Sequence, residues 1–195
     1  MARRERVFEP NGVYHAYNRR TDRQLLFPSP CALDNFLGLM EEGCRRYDVR
    51  ICAYCLMDTH WHQAIWVREG DGATAVIRYL QRLSSTHAIR FRLATDTRGL
   101  GHVYQDRYKA NRVDTETGFY RLVRYIEANP LTARLVDRAE YWPWSSLAER
   151  LSGQRRIVAA EQPIPLPSDW TEIVNAYVPE TQFDSIEPAD VWAFG

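Results

Sequence analysis

The residues best suited to chemistry are His60 and His62, which stand two apart in the run Cys55-Leu56-Met57-Asp58-Thr59-His60-Trp61-His62-Gln63-Ala64-Ile65-Trp66-Val67. The run reads as a β-hairpin with Asp58-Thr59 as its turn. Side chains two apart on a strand leave the sheet on one face, so both imidazoles can hold one divalent metal. Trp61, between them, points to the other face and can bury itself there. Two ligands do not complete a site, since protein metal sites usually take three or four. A His-x-His pair in an apolar strand also serves purely structural roles.

A second group lies downstream. Phe119, Leu122, Val123 and Ile126 recur at helical spacing and define the core face of a helix over about 116–128. Tyr125 falls on the border of that face. Arg121 and Asn129 lie one turn to either side, so the three share one helix edge. That edge carries the parts for phosphoryl transfer: a hydroxyl that can attack phosphorus, an amide oxygen that can join two histidines at a metal, and a guanidinium that can pair with a phosphate. A tyrosine of ordinary pKa ~10 needs nearby positive charge or a metal to become the phenolate. With eleven tyrosines in the chain, a boundary aromatic with its hydroxyl in water is the competing reading.

The elements that must position these groups follow from hydrophobic period and turn residues. Val13–Arg20 reads as a first strand. Leu33, Phe36, Leu37, Met40, Cys44 and Tyr47 place an amphipathic helix over about 31–47. Strands follow over 50–57 and 60–67, and a second helix over 73–93. Residues 102–113 are strand-like, and Asp114 or Thr115 can cap the helix that carries Tyr125. Asn129-Pro130 is expected to close that helix, because the residue before proline resists the helical region. Strand, helix, strand, strand, helix, strand is the order of a ferredoxin-like unit. The expected fold is therefore α+β, an antiparallel sheet with helices on one face. Residues 1–152 form the expected domain. Residues 153–195 read as a Pro-rich acidic extension with one short docked helix between Ser168 and Val178.

Composition sets the wider bounds. A chain of 195 residues, 45% apolar and 12% aromatic, suits one globular body. Four cysteines are few for a disulfide scaffold. Cys52 and Cys55 lie in one predicted strand, on opposite faces, as core thiols. No signal peptide or apolar span is evident, so a cytoplasmic protein with no membrane partner is expected. The net charge of zero hides an asymmetry. Residues 161–195 hold seven acids and no Lys or Arg, which leaves all 25 basic residues against 18 acids in the rest. A basic body with an acidic end suits a polyanion, although a solvated surface explains it too. Arg78 and Arg82, with Thr86 and Arg90, line one side of the second helix. Tyr104, Arg107, Tyr108, Lys109 and Arg112 interleave aromatic and basic residues, a pattern that stacks bases and pairs phosphates.

Several separated motifs together resemble the single-tyrosine HUH transposases, and among them the REP-associated tyrosine transposases. They are Tyr14-His15 with Asn18-Arg19, Cys55-Leu56-Met57 ahead of His60-Trp61-His62, Val123-Arg124-Tyr125-Ile126-Glu127-Ala128-Asn129-Pro130, then Ala133 and Trp144-Ser145-Ser146. The resemblance covers about residues 10–150. It implies a ferredoxin-like HUH endonuclease domain with His60 and His62 as metal ligands and Tyr125 as nucleophile. Asn129 sits where the family has its third, helix-borne ligand. The family turn before the histidines is commonly Pro-Asn; here it is Asp58-Thr59. The acidic end after residue 160 is outside the resemblance.

The resulting expectation is a metal-dependent single-stranded DNA endonuclease and strand transferase, using Mg²⁺ or Mn²⁺ and a 5′-phosphotyrosine link. Its DNA would be single-stranded or hairpin, contacted by Arg78, Arg82, Tyr104, Arg107, Tyr108, Lys109, Arg112 and Arg121. The chain would act as a monomer or homodimer. Two other classes are open: a domesticated protein that binds DNA hairpins without cutting, and an RNA-binding module, since a ferredoxin-like sheet with exposed aromatics also describes RNA-recognition domains. His15 and His102 can approach the site, but an ordinary hydrogen-bonded histidine is the simpler reading of each.

Overall fold

The computed structural model describes residues 8–177, apart from 22, 23, 98 and 100. Four strands and five α-helices follow one another: β1 (Gly12–Arg19), α1 (Pro30–Tyr47), β2 (Arg50–Met57), β3 (His60–Val67), α2 (Ala73–Thr95), β4 (Lys109–Val113), α3 (Glu116–Thr132), α4 (Ser146–Ser152) and α5 (Trp170–Asn175). The sheet is antiparallel with strand order β2-β3-β1-β4, the ferredoxin-like arrangement. Among the described residues no helix is long and apolar enough to cross a membrane.

Local chemistry explains where the helices start. Ser29 accepts a hydrogen bond from the Ala32 amide at 3.3 Å, and Pro30 follows it at the first helical position. Thr115 accepts from the Gly118 amide at 3.0 Å and so is the cap of α3. Gly43 lets α1 approach α2 closely, because a Cβ there would lie 2.7 Å from the Tyr79 ring.

The α+β antiparallel expectation holds, but the helices occupy both faces. Tyr14, Ala16, Leu56, Trp61 and Ile65 point into one core with α1 and α2, and Trp61 is fully buried there. Val13, Cys55, Met57, Ala64 and Val113 point into a second core with Phe119, Leu122, Val123 and Ile126 of α3. A sheet apolar on both faces must be covered on both, and that second layer carries Tyr125.

Three further details depart from expectation. Cys52 and Cys55 share the α3 face, because a β-bulge between Ile51 and Ala53 adds one residue and shifts the alternation. Burial raises the Cys52 thiol to about 12 and lifts Cys55 well above the usual range, consistent with core thiols. The last strand begins at Lys109 rather than near 102; ahead of it only Tyr104 bridges to Arg20. Finally, α3 runs through Pro130 to Thr132. Proline so near a helix end removes a single amide donor, and Ala133 still donates to Asn129 at 2.9 Å.

The chain after 152 is bound to the body as far as it is described. Val158 bridges to Ile51 on the outer edge of β2, and the Ala159 amide donates to the Ile51 carbonyl at 2.9 Å. Trp170 and Val174 of α5 are buried against α3. The acidic residues after 177 lie outside the described residues.

Candidate active site

Register builds the site. On the α3 face, Arg19 pairs with His60, Tyr17 with His62, and His15 with Ala64 across β1 and β3. On the other flank of β1, Tyr17 pairs with Lys109 and His15 with Asn111. The two histidines therefore sit among Arg19, Tyr17, Lys109 and His15, and α3 lies over them.

His60 and His62 leave the sheet together, with ring centroids 4.9 Å apart. Tyr125 meets His62 edge to face at 5.4 Å and His15 at 5.9 Å. Asn129 stands one turn on from Tyr125, its Nδ2 donating to the Tyr125 carbonyl at 2.9 Å, and its side chain acts on the ionisation of both Tyr125 and His60. The hairpin and α3 thus bring His60, His62, Tyr125 and Asn129 into one cluster.

The electrostatics suit metal binding. Burial lowers His62 well below its ordinary value, and the neighbouring His60 and His15 act in the same direction. His60 is also lowered, chiefly by burial, with the Asn129 side chain opposing and Arg19 adding to the lowering. Both imidazoles are therefore neutral at pH 7 and keep a lone pair for a cation. Among the described residues no group of three or more His, Cys, Asp or Glu side chains stands ready for a metal. The donor set is two imidazoles plus the Asn129 amide, whose oxygen is a fair ligand for a hard or borderline cation. Those residues fit a divalent metal. Burial raises the Tyr125 hydroxyl, and the nearby Asn129 side chain pulls it back in part, so the tyrosine is a phenol at neutral pH.

The expected nucleic-acid residues divide sharply. Lys109 lies in the site, its ammonium 5.9 Å from the centroid of the Tyr17 ring. Arg121 is exposed on α3 one turn before Tyr125, and Arg107 is exposed in the loop before β4. Arg112 points to the opposite face from Lys109 and forms ion pairs with Glu9 and with Asp114. Arg78 and Arg82 stand on α2, across the sheet from Tyr125, and Arg82 is paired with Glu42 at 2.8 Å. Base stacking by Tyr104 or Tyr108 is corrected: they are only 8% and 3% exposed, and the Tyr104 hydroxyl bonds His87 Nδ1 at 2.8 Å. A ring packed in a core offers no face to a base.

Three residues of the site were missed or underrated. His15 is fully buried and its Nε2 lies 2.9 Å from His62 Nδ1. Tyr17 stacks on His15 at 4.8 Å and leans on His62 at 5.8 Å. Arg19 is the cross-strand neighbour of His60 and hydrogen-bonds Gln105. The readable signal was their phase in β1, odd positions sharing one face; their partners in β3 and β4 were not readable. His102 is exposed in a loop and is not brought to the site.

No curated protein matches the chain. Among solved structures, one of a REP-associated tyrosine transposase bound to a REP hairpin superposes with a TM-score of 0.58 at 19% identity, covering 85% of this chain and 95% of that one. A candidate transposase from Deinococcus radiodurans superposes with a TM-score of 0.43 at 15% identity, covering 65% of this chain and 96% of that one. The family model for IS200-like transposases matches residues 10–129, from the start of β1 through Asn129. The chain belongs to the IS200-like transposase family.

Proposed function

We propose that this protein is a metal-dependent single-stranded DNA endonuclease and strand transferase acting through Tyr125. The observation that carries the reading is the edge-to-face contact of Tyr125 from α3 with His62 from β3, beside His60 and with Asn129 one turn on from Tyr125. His60, His62 and Asn129 would hold Mg²⁺ or Mn²⁺; Mn²⁺ tolerates two imidazoles better than the oxygen-seeking Mg²⁺ does. Bound there, the cation supplies Lewis acidity at a phosphate oxygen and stabilises charge in the transition state.

The chain's own residues do the rest. Arg19 beside His60, and Lys109 beside Tyr17 on the same face, attract the phosphodiester and hold it against the α3 edge. The Tyr125 oxygen attacks phosphorus, and the bond from phosphorus to the 3′ oxygen of the preceding nucleotide breaks. The phenol proton is lost, and overall one proton is gained by the leaving 3′ oxygen. The products are a 5′-phosphotyrosine link and a free 3′-hydroxyl. Attack by another 3′-hydroxyl reverses these steps and joins strands without ATP, because the covalent link conserves the energy of the broken bond. Asn129, bonded to the Tyr125 carbonyl, keeps its amide on the same edge of α3 as Tyr125.

The likeness to a transposase bound to a REP hairpin supports hairpin DNA as the substrate class. Helices cover both faces of the sheet, which counts against the exposed aromatic sheet on which an RNA-recognition reading rests. The test is incubation of the protein with single-stranded hairpin DNA from its own gene's flanks, with Mn²⁺ or with chelator, and an RNA hairpin of the same sequence beside it. Cleavage of DNA that needs Mn²⁺ is the expected result. Tight binding with no cleavage under either condition would make the protein a non-cleaving hairpin binder.

A further inference from the structure

Metal ligands of the imidazole type work through one ring nitrogen, and the partner of the other nitrogen fixes which one is free. In this chain both candidate ligands have that second nitrogen engaged by a side chain. His62 Nδ1 lies 2.9 Å from His15 Nε2, and His60 Nδ1 lies 2.9 Å from the Thr59 hydroxyl. The two partners come from different places, His15 from the neighbouring strand β1 and Thr59 from the turn before β3. Thr59 also occupies the turn where the sequence departs from the family's usual Pro-Asn.

We propose that His15 and Thr59 are positioning residues that accept hydrogen bonds from Nδ1–H of His62 and His60, so that both rings present Nε2 to the cation. The inference rests on the reading above that His60 and His62 are the ligands. Neither hydrogen bond alone selects a tautomer. A neutral His15 can donate from Nε2 or accept there, and its Nδ1 has no hydrogen-bond partner among the described residues either way. A cation on His62 Nε2 selects one arrangement, because that nitrogen must then be bare and Nδ1 must carry the proton. His15 Nε2 must in turn be the acceptor. The same logic makes the Thr59 oxygen the acceptor for His60. His15 is wholly buried, stacked on Tyr17 and held by the sheet, so it cannot swing away and free His62 to turn. An aromatic ring of similar size at position 15 would keep the packing and lose the acceptor. Glutamine there would restore an acceptor at about the reach of Nε2.

The test is Mn²⁺ binding to the full chain without DNA, read from the free-ion electron paramagnetic resonance signal. The variants are His15→Phe, His15→Gln and Thr59→Val, and nitrogen NMR of the imidazoles reports the tautomer of His62. We expect His15→Phe to weaken Mn²⁺ about 10- to 100-fold, His15→Gln to recover most of that loss, and Thr59→Val to weaken binding by a smaller factor. The wild type should show His62 protonated at Nδ1. Equal affinity of wild type and His15→Phe overturns the positioning role while leaving the ligand reading intact. Equal loss in His15→Phe and His15→Gln also overturns it, since packing would then be the cause. A wild type that binds no Mn²⁺ overturns the ligand reading itself, and a Thr59→Val variant, placed in a turn, keeps the question answerable should either position-15 variant fail to fold.

Discussion

Tyr125 on α3 and His62 on β3 meet edge to face, with ring centroids 5.4 Å apart and planes at 78°. The contact belongs to the rings, and Asn129 bonds the Tyr125 backbone carbonyl, which the substitution leaves in place. Tyr125→Phe should therefore keep the packing and change stability by no more than about 1 kcal/mol. Urea denaturation of the two proteins checks this. A small difference means that any loss of activity in the variant is a loss of chemistry.

Arg19 stands beside His60 and Lys109 beside Tyr17, both on the histidine face, whereas Arg78 stands on the far side of the sheet and Arg82 is held by Glu42. Arg19→Ala and Lys109→Ala should each weaken hairpin DNA binding. Each should also lower the slope of log K against log salt by roughly 0.7 to 0.9, one phosphate contact. Arg78→Ala and Arg82→Ala should leave affinity and slope nearly unchanged. Fluorescence anisotropy at several salt concentrations separates the two pairs.

Glu127, two residues after Tyr125 on α3, is fully buried. Its carboxylate accepts from the Ser146 hydroxyl at 2.5 Å, from Trp170 Nε1 at 2.7 Å and from Arg150 Nη2 at 3.1 Å. It ties α3 to both α4 and α5. Glu127→Ala strands a buried hydroxyl, an indole N–H and part of a guanidinium, and should cost about 3–5 kcal/mol. Glu127→Gln keeps an acceptor and should cost less. Denaturant midpoints give the comparison.

Much of this architecture is legible in the sequence because it is local. The hairpin over 50–67, the phase of His60 and His62 and the apolar face of α3 all follow from period and turn chemistry. What escaped is set by partners distant in the chain. His15 belongs to the site only because β1 pairs beside β3. The α3 helix covers the second face because β2 and β3 are apolar on both sides, which alternation alone does not reveal. One inserted residue at the bulge moved Cys52 across the sheet. Tyr104 and Tyr108 show the limit of compositional reading: aromatic and basic residues interleave whether the rings face bases or a core.

His87 supplies a pH dependence independent of the site. Burial lowers it to about 4, helped by the charge of Arg90, and it bonds the buried Tyr104 hydroxyl. Its folded value lies below the ordinary 6.5. Protons therefore bind the unfolded chain first as pH falls through 6.5, and stability is lost until about pH 4. Between pH 7 and 5 this residue alone removes roughly 2 kcal/mol. His87→Gln keeps a hydrogen-bonding group without that titration. Its stability should fall less than that of the wild type over the same range, as measured by urea denaturation at each pH.

The most direct measurement of the central claim is the covalent link itself. Wild type and Tyr125→Phe are incubated with 5′- and 3′-labelled single-stranded hairpin DNA and Mn²⁺, then resolved under denaturing conditions, with mass spectrometry of any linked peptide. The account predicts a protein-bound 5′ end mapped to Tyr125, a free 3′-hydroxyl on the other fragment, and neither in the variant. A DNA-linked protein band that persists in Tyr125→Phe, or a link mapped to another residue, would contradict it.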